Sequence, residues 1–325
     1  MNILVTGCAG FIGYHLSNTL SKNEKYTIIG IDNVNNYYDV KLKNSRILNL
    51  SKHKNFLFKK IDINNKLKLK NLFKKFKFKI VVHLAAQAGV RNSIYKPDIY
   101  FENNISGFYN ILQISKSYKV KHFLFASTSS VYGNTNKFPN KERDYTDSPV
   151  SFYAATKKCN EIIAYSFSNI YKIPITGLRF FTVYGPYGRP DMALFKFVDS
   201  IINRNTIKLF NKGNHIRDFT YIDDVISYIN DIIFKKPTGD IPYQIFNIGS
   251  NRPKTLKYFI NIIRKNLNLS IKTKDLPFQT GDVFKTHADN AKIKKFVKKE
   301  YYTSTEKGIK EFINWYKYFY DKKNK

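Results

Sequence analysis

The sequence predicts an α/β fold in which a doubly wound parallel sheet is followed by a smaller C-terminal α/β lobe. Short apolar runs alternate with longer helical patterns from the first residues onward. The runs are apolar enough to be buried on both faces, as the strands of a parallel sheet are when helices cover it on both sides. The length of 325 residues suits one large domain that carries an added lobe.

The elements follow from this alternation in chain order. We expect strands at residues 3–6, 26–32, 55–62, 80–84, 121–127 and 173–180. Helical patterns occupy residues 11–22 and 152–171, among others. After about residue 180 the chain becomes irregular and richer in proline and glycine. We therefore expect residues 1–180, with returning segments at about 212–250, to form the first domain, and residues 181–325 to form most of a second lobe.

Composition excludes several classes of protein. Hydrophobic residues make up 43% of the chain, which excludes disorder, and there is no collagen-like or disulfide-rich pattern. The two cysteines, Cys8 and Cys159, suit a reducing compartment, so we expect the cytoplasm. The opening run lacks the features of an export signal. No apolar run reaches the roughly 18 residues of a membrane span, so we expect no such span.

The formal charge of +31 raises the question of a nucleic-acid partner. Lysines are spread along the whole chain, however, and no nucleic-acid motif surrounds them. We interpret the charge as compositional and expect no nucleic-acid partner. A non-catalytic protein of this fold that binds RNA is the alternative, and steep salt dependence of binding would distinguish it.

A glycine-rich loop follows the first predicted strand and opens the first helix. Residues 7–13 read Gly-Cys-Ala-Gly-Phe-Ile-Gly, and Asp32 closes the second strand. Glycines let a backbone approach a pyrophosphate, and a carboxylate at this second position binds an adenosine ribose and repels a 2′-phosphate. The loop therefore predicts a Rossmann-like site for NAD rather than NADP, although a simple glycine turn is the alternative. Asp62 could contact adenine by the same logic or only cap a turn, and Cys8 should pack as a small hydrophobe.

Tyr153 and Lys157 lie one turn apart on the predicted helix at residues 152–171. A nearby ammonium favours the phenolate, so we expect Lys157 to lower the Tyr153 pKa and make the phenol a general base. Residues 126–133, Ala-Ser-Thr-Ser-Ser-Val-Tyr-Gly, add hydroxyl groups at the carboxyl end of the fifth strand, where such sheets bind ligands. A solvated helix face and an ordinary polar loop are the alternatives.

With these motifs the chain resembles the extended short-chain dehydrogenases/reductases, and within them the nucleotide-sugar 4-epimerases. It is most similar to the UDP-glucuronate 4-epimerases of the capsular polysaccharide type. The resemblance covers essentially the whole chain, and further motifs carry it at residues 83–91, 179–186, 188–193 and 217–221.

The resemblance implies roles for individual residues. The catalytic residues would be Thr128, Tyr153 and Lys157. The residues binding NAD would be Gly7, Gly10, Phe11, Ile12, Gly13, Asp32, Asp62, Ile63, Leu84, Ala85, Ala86, Tyr153, Lys157 and Phe180. Those binding substrate would be Arg91, Ser129, Ser130, Thr182, Arg189, Arg217 and Asp282.

Within the substrate set, Arg217 and Asp282 would hold the nucleotide diphosphate and its ribose, and Arg189 and Thr182 would face a sugar carboxylate. Arg217 could instead form a structural pair with Asp218, and Arg189 could be merely solvated.

The implied activity is epimerisation of UDP-glucuronate to UDP-galacturonate through a 4-keto intermediate, with tightly bound NAD and no metal, for surface polysaccharide synthesis. UDP-glucose or UDP-N-acetylglucosamine is the alternative substrate. Galactose-type epimerases carry Asn in place of Thr182 and Arg in place of Gln279, which favours the acid sugar. Related dehydratases place an acidic residue where this chain has Ser129 and Ser130, so water elimination is disfavoured. A homodimer is implied through helices at about residues 105–118 and 152–171.

Overall fold

A computed structural model describes residues 1–278 and 282–321 of the chain. Its strands are β1 (Asn2–Thr6), β2 (Thr27–Asp32), β3 (Phe56–Lys60), β4 (Ile80–His83), β5 (His122–Thr128), β6 (Ile175–Phe180), β7 (Thr182–Tyr184), β8 (Ile207–Phe210), β9 (Ile216–Arg217), β10 (Phe219–Tyr221), β11 (Tyr243–Ile248), β12 (Lys254–Thr255) and β13 (Thr273–Leu276). Its α-helices are α1 (Phe11–Leu20), α2 (Val40–Leu50), α3 (Lys66–Phe76), α4 (Asn92–Tyr95), α5 (Pro97–Tyr100), α6 (Gly107–Ser117), α7 (Phe152–Tyr171), α8 (Ala193–Ile202), α9 (Ile222–Ile232), α10 (Leu256–Leu267), α11 (Ala291–Val297) and α12 (Thr305–Asp321).

The main sheet is parallel throughout and has the strand order β11-β6-β5-β4-β1-β2-β3. The chain winds outward from β1 through β2 and β3, then returns to β4 and winds the other way. This reversal opens a crevice at the carboxyl ends of β1 and β4, the place where doubly wound sheets bind ligands. The predicted fold class is confirmed.

The sheet is buried on both faces because its strands carry apolar residues at consecutive positions. Ile3 and Val5 pack into one core cluster, which includes residues of α1 and α9. Leu4, between them, packs into the opposite cluster, which includes residues of α3 and α6. The side chains of a strand alternate between its faces, so each helical layer receives every second residue.

Element boundaries differ from prediction at two places that affect the site. Strand β3 ends at Lys60, so Asp62 lies in the following turn rather than at a strand end. The helical region expected at about residues 105–118 starts earlier, because α5 continues through a π-helical turn at Phe101–Ser106 into α6. Helix α7 has the predicted limits.

The C-terminal lobe is built from small strand pairs and helices. Strands β7 and β10 pair in parallel, as do β8 and β13, whereas β9 and β12 pair in antiparallel fashion. Strand β11 returns to the main sheet, where it pairs with β6 in parallel. Across the described residues, no helix combines the length and apolar character needed to cross a bilayer.

A buried ion pair fixes α7 to the main sheet. Arg179 of β6 donates two hydrogen bonds of 2.8 Å to the Glu161 carboxylate of α7, and both side chains are 4% exposed. The Ser127 hydroxyl at the end of β5 donates to the same carboxylate at 2.5 Å, and Arg179 also donates to the Tyr132 hydroxyl at 2.9 Å. Helix, hydroxyl segment and sheet are therefore tied together at one carboxylate.

We predict that Glu161→Ala destabilises the fold strongly, because Arg179 is left buried without its counter-ion. Removing one partner of a buried pair costs about 3–5 kcal/mol, which urea unfolding should reveal as a lower free energy of unfolding. The control is Asp147→Ala, whose carboxylate pairs with Lys158 while 62% exposed. An exposed pair contributes at most about 1 kcal/mol, so equal losses in the two variants would contradict the prediction.

Candidate active site

A cavity of about 920 Å³ runs from the carboxyl ends of the main-sheet strands to the C-terminal lobe. All the predicted NAD-binding residues except Asp62 line it, as do all the predicted catalytic and substrate residues. The structure therefore brings together groups from the loops after β1 and β4, from β2, β5, β6 and α7, and from the C-terminal lobe. Their individual roles stay predictions.

The glycine-rich loop fits a bound pyrophosphate. Gly7 has φ +71°, and a Cβ atom there would lie 2.8 Å from the backbone nitrogen of Ala85. A Cβ atom on Gly13 would collide with the carbonyl oxygen of Gly7, so only glycine allows this packing. Helix α1 begins directly after the loop with no side-chain cap, which leaves first-turn N–H groups available for an anion. Cys8 is fully buried and burial raises its pKa, as expected of a small hydrophobe.

Asp32 stands at the end of β2 and borders the cavity, where a ribose-binding carboxylate is expected. One oxygen accepts from the Ala9 N–H at 3.1 Å and the other from the Val34 N–H at 2.8 Å. Burial raises the Asp32 pKa, and these N–H groups together with the charges of Lys43 and Arg46 oppose the rise. The dinucleotide predicted from the sequence fits this cradle of glycines, N–H groups and carboxylate.

Asp62, for which the sequence left adenine contact and turn capping open, does not line the cavity. Its carboxylate accepts from the Asn64 N–H at 2.8 Å and from the Asn33 side chain at 2.8 Å, so it caps the turn before α3. Its neighbours Ile61 and Ile63 line the cavity instead. The reason is the early end of β3, which places Asp62 inside the turn.

Tyr153 and Thr128 both line the cavity, and their side chains lie next to each other. Ser151 caps α7 by accepting from the Ala154 N–H at 3.2 Å, which puts Tyr153 in the first helical turn. Thr128 ends β5, and its hydroxyl interacts with the Tyr153 phenol and accepts from the Ser130 N–H at 3.2 Å. The phenol thus lies beside a hydroxyl group that can share a substrate oxygen with it.

The expected effect of Lys157 on the Tyr153 pKa is wrong for this arrangement. Burial raises the Tyr153 pKa, and the charge of Arg189 and the Thr128 hydroxyl are what oppose the rise. Lys157 donates to the Ala126 carbonyl at 3.0 Å, and burial lowers its pKa to about 8. Desolvation of the phenol therefore outweighs the charge of Arg189 and the hydrogen bond with Thr128.

Arg189 is paired rather than merely solvated. Its guanidinium donates to both oxygens of Asp191, at 3.0 and 2.5 Å, and the Tyr37 hydroxyl donates to Asp191 at 3.2 Å. Arg189 and Thr182 both line the cavity, where a sugar carboxylate is expected. The guanidinium of Arg189 is therefore already hydrogen-bonded to a carboxylate of the chain itself, that of Asp191.

Arg217 and Asp282 meet at the C-terminal lobe. Arg217 donates to Asp282 at 2.8 Å, and Arg91 lies 3.5 Å from the same carboxylate. The alternative of a structural pair between Arg217 and Asp218 is wrong, because the Asp218 carboxylate accepts from backbone N–H groups at residues 250, 251 and 288. Gln279, the other position that the sequence singled out here, lies outside the described residues.

Several residues at the cavity escaped the sequence analysis. His215 is 2% exposed, stacks on Phe278 and places Nε2 3.8 Å from Asp282. Tyr37 and Asp191 shape the surroundings of Arg189. The motif at residues 188–193 contains Asp191 and could have drawn attention to it, whereas a lone histidine carries no such signal.

The fold and this cavity define a dinucleotide-binding enzyme of the short-chain dehydrogenase/reductase class. The chain belongs to the NAD dependent epimerase/dehydratase family, whose model matches residues 3–249. The family resemblance predicted from the sequence is confirmed.

Named relatives cover almost the whole chain. Protein CapI of Staphylococcus aureus is 42% identical over 99% of this chain and 100% of its own length. The UDP-glucuronate 4-epimerase of Thermodesulfobacterium geofontis is 42% identical, over 97% of this chain and 95% of its own. A UDP-glucuronic acid 4-epimerase from Bacillus cereus, solved with UDP-glucuronic acid and NAD, matches with a TM-score of 0.93 at 33% identity, covering 98% of this chain and 100% of that one.

Proposed function

We propose that this protein interconverts UDP-glucuronate and UDP-galacturonate by NAD-dependent epimerisation at C4 of the sugar. The observation that carries the proposal is that Tyr153, Arg189 and Arg217 border one cavity with the glycine-rich loop. A general base, a group for the sugar carboxylate and a group for the diphosphate are thus available to one nucleotide sugar. The UDP-glucuronate 4-epimerases among the relatives support the acid sugar as substrate.

The dinucleotide is held by the glycine-rich loop, by the first-turn N–H groups of α1 and by Asp32. When bound, it supplies a reversible hydride acceptor. Lys157 lines the same cavity as Tyr153. Its pKa is lowered to about 8, so its ammonium group is charged at neutral pH. That charge favours the phenolate, the form in which Tyr153 accepts the proton of the substrate hydroxyl.

Tyr153 takes the proton of the C4 hydroxyl, and Thr128 donates a hydrogen bond to the same oxygen as it becomes a carbonyl. The resulting 4-keto sugar turns about its phosphate linkage and presents its other face. Tyr153 then returns the proton to the inverted hydroxyl. Arg217 and Asp282 hold the nucleotide end throughout, so only the sugar moves.

The acid sugar needs protection because a 4-keto group lies β to the C6 carboxylate, and such acids lose CO₂ readily. Hydrogen bonds from Thr182, Ser129, Ser130 and Arg189 keep the carboxylate charged and turned away from overlap with the carbonyl. Arg189 shares its donors between this carboxylate and Asp191, since a guanidinium has five N–H groups. We propose that the product serves surface polysaccharide synthesis in the cytoplasm, which Protein CapI and the unpaired cysteines support.

Purified protein should convert UDP-glucuronate to UDP-galacturonate without an added oxidant, as followed by proton NMR. Tyr153→Phe is the matched variant: it loses only the phenolic oxygen, so turnover should fall at least about 100-fold while NAD stays bound. Inversion of UDP-glucose or UDP-N-acetylglucosamine alone would contradict the acid-sugar assignment. Retained turnover in Tyr153→Phe would remove the phenol from its role.

Arg189→Ala should weaken selection for the acid sugar. Hydrogen bonds to charged groups contribute about 1.5–3 kcal/mol, so the preference in kcat/KM for UDP-glucuronate over UDP-glucose should fall roughly 10- to 100-fold. Arg204→Ala, at an exposed position outside the cavity, is the control. The carboxylate role fails if Arg189→Ala slows both sugars equally.

We propose a homodimer formed through α7 and the helical segment that ends with α6. Ile162 of α7 is 58% exposed and Tyr109 of α6 is 43% exposed. Tyr109 contacts Phe167 of α7 edge to face, so the two helices share one apolar surface. Exposed apolar surface of this kind marks an interaction site.

Ile162→Lys should convert the dimer to a monomer, because a lysine would be buried at the centre of the interface. Light scattering after gel filtration measures the mass. Leu67→Lys, at a 69% exposed position on α3, should leave the mass unchanged. A monomeric wild-type protein would contradict the dimer.

A further inference from the structure

Arg46 of α2 is a fully buried arginine that is bonded to uncharged groups. Its guanidinium donates to three carbonyl oxygens and to the Tyr38 hydroxyl, the latter at 2.7 Å. Among the ion pairs found in the described residues, none includes it. Its charge acts on the Asp32 carboxylate without a direct ion pair. Burying a charge that is hydrogen-bonded only to neutral groups is costly, which suggests that these bonds serve a purpose beyond stability.

The two arms of this guanidinium reach two different loops. Nη1 donates to the Ala9 carbonyl of the glycine-rich loop at 2.7 Å. Nη2 donates to the Tyr187 carbonyl at 2.6 Å and to the Gly188 carbonyl at 3.3 Å. The second loop leads directly into Arg189.

Further contacts fix the conformation of both loops. Ala9 donates its N–H to Asp32 and accepts through its carbonyl from Arg46, so the two side chains hold the peptide groups on either side of Ala9. Tyr187 has φ +55°, a left-handed conformation that a non-glycine residue adopts only when its surroundings hold it there. Asn49, also of α2, donates to the Tyr187 hydroxyl at 3.0 Å. Helix α2 therefore links the two loops.

We propose that Arg46 is a positioning residue for the epimerisation, which sets the place of Arg189 relative to the dinucleotide loop. The proposal rests on the proposed function, in which Arg189 holds the sugar carboxylate. The reacting carbon must lie at a fixed distance from the dinucleotide while its carboxylate is held, and one planar guanidinium bonded to both loops keeps that distance. A lysine has the charge but a single nitrogen, so it cannot hold both loops in the same way.

The test uses Arg46→Lys and Arg46→Met in the NAD-loaded protein, with UDP-glucuronate and UDP-glucose as probes. Misplacement by about 1 Å can cost about 100-fold in rate, so kcat for UDP-glucuronate should fall between 10- and 100-fold in both variants. The ratio of the two sugars' dissociation constants, measured by calorimetry, should shift at least tenfold toward the neutral sugar. Leu48→Ala, at a 67% exposed position of the same helix, should change both values less than twofold.

A double-variant cycle separates positioning from a general structural effect. In an Arg189→Ala background, adding Arg46→Lys should change the dissociation-constant ratio less than twofold, because Arg46 acts on it through Arg189. Factors that multiply in the double variant would overturn the proposal, as would an unchanged ratio in Arg46→Lys. Failure of both Arg46 variants to fold would assign the residue to stability and overturn it as well.

Failure of the proposed function gives a different pattern. If the wild-type protein binds the two sugars equally and Arg189→Ala changes nothing, the carboxylate role of Arg189 is wrong before Arg46 is considered. The Arg46 proposal alone fails when wild type and Arg189→Ala behave as expected and Arg46→Lys matches wild type.

Discussion

The position of α7 on the main sheet is the constraint on which the active site depends. Tyr153 and Lys157 project from this helix, and Thr128 projects from the end of β5. Glu161, farther along α7, binds Arg179 of β6 and Ser127 of β5 with both charged groups 4% exposed. Since Ser127 precedes Thr128, one carboxylate aligns the helix that carries the base with the strand that carries the hydroxyl group. A buried pair held by several hydrogen bonds fixes such an alignment well.

The burial that builds this site also opposes its chemistry. It raises the pKa of Tyr153, the proposed base, and lowers the pKa of Lys157 to about 8. The cation that offsets the Tyr153 shift most is Arg189, which is itself held by Asp191. The Tyr153 pKa therefore depends on a charged residue, Arg189, that lies outside the main-sheet domain. Arg189, the proposed partner of the sugar carboxylate, therefore also favours the phenolate form of Tyr153, the proposed base.

Local patterns predicted the fold and much of the site. The glycine-rich loop, Asp32 and the Tyr153–Lys157 spacing each lie within one turn or one strand-helix unit, so the sequence alone places them. The contacts that escaped prediction join distant parts of the chain: Arg46 and Tyr187 are separated by 141 positions. Such contacts depend on how loops pack across lobes. The end of β3 was also missed: the strand ends at Lys60, two residues before Asp62, because strand ends are weak signals in a sequence.

In the proposed reaction, hydrogen leaves C4 of the sugar and returns to the same carbon from the opposite side, and Tyr153 moves only the hydroxyl proton. UDP-glucuronate carrying deuterium at C4 tests it most directly, with the reaction run in ordinary water and the product examined by NMR. We predict that the UDP-galacturonate formed keeps its deuterium at C4. Product with hydrogen from water at that carbon would contradict it.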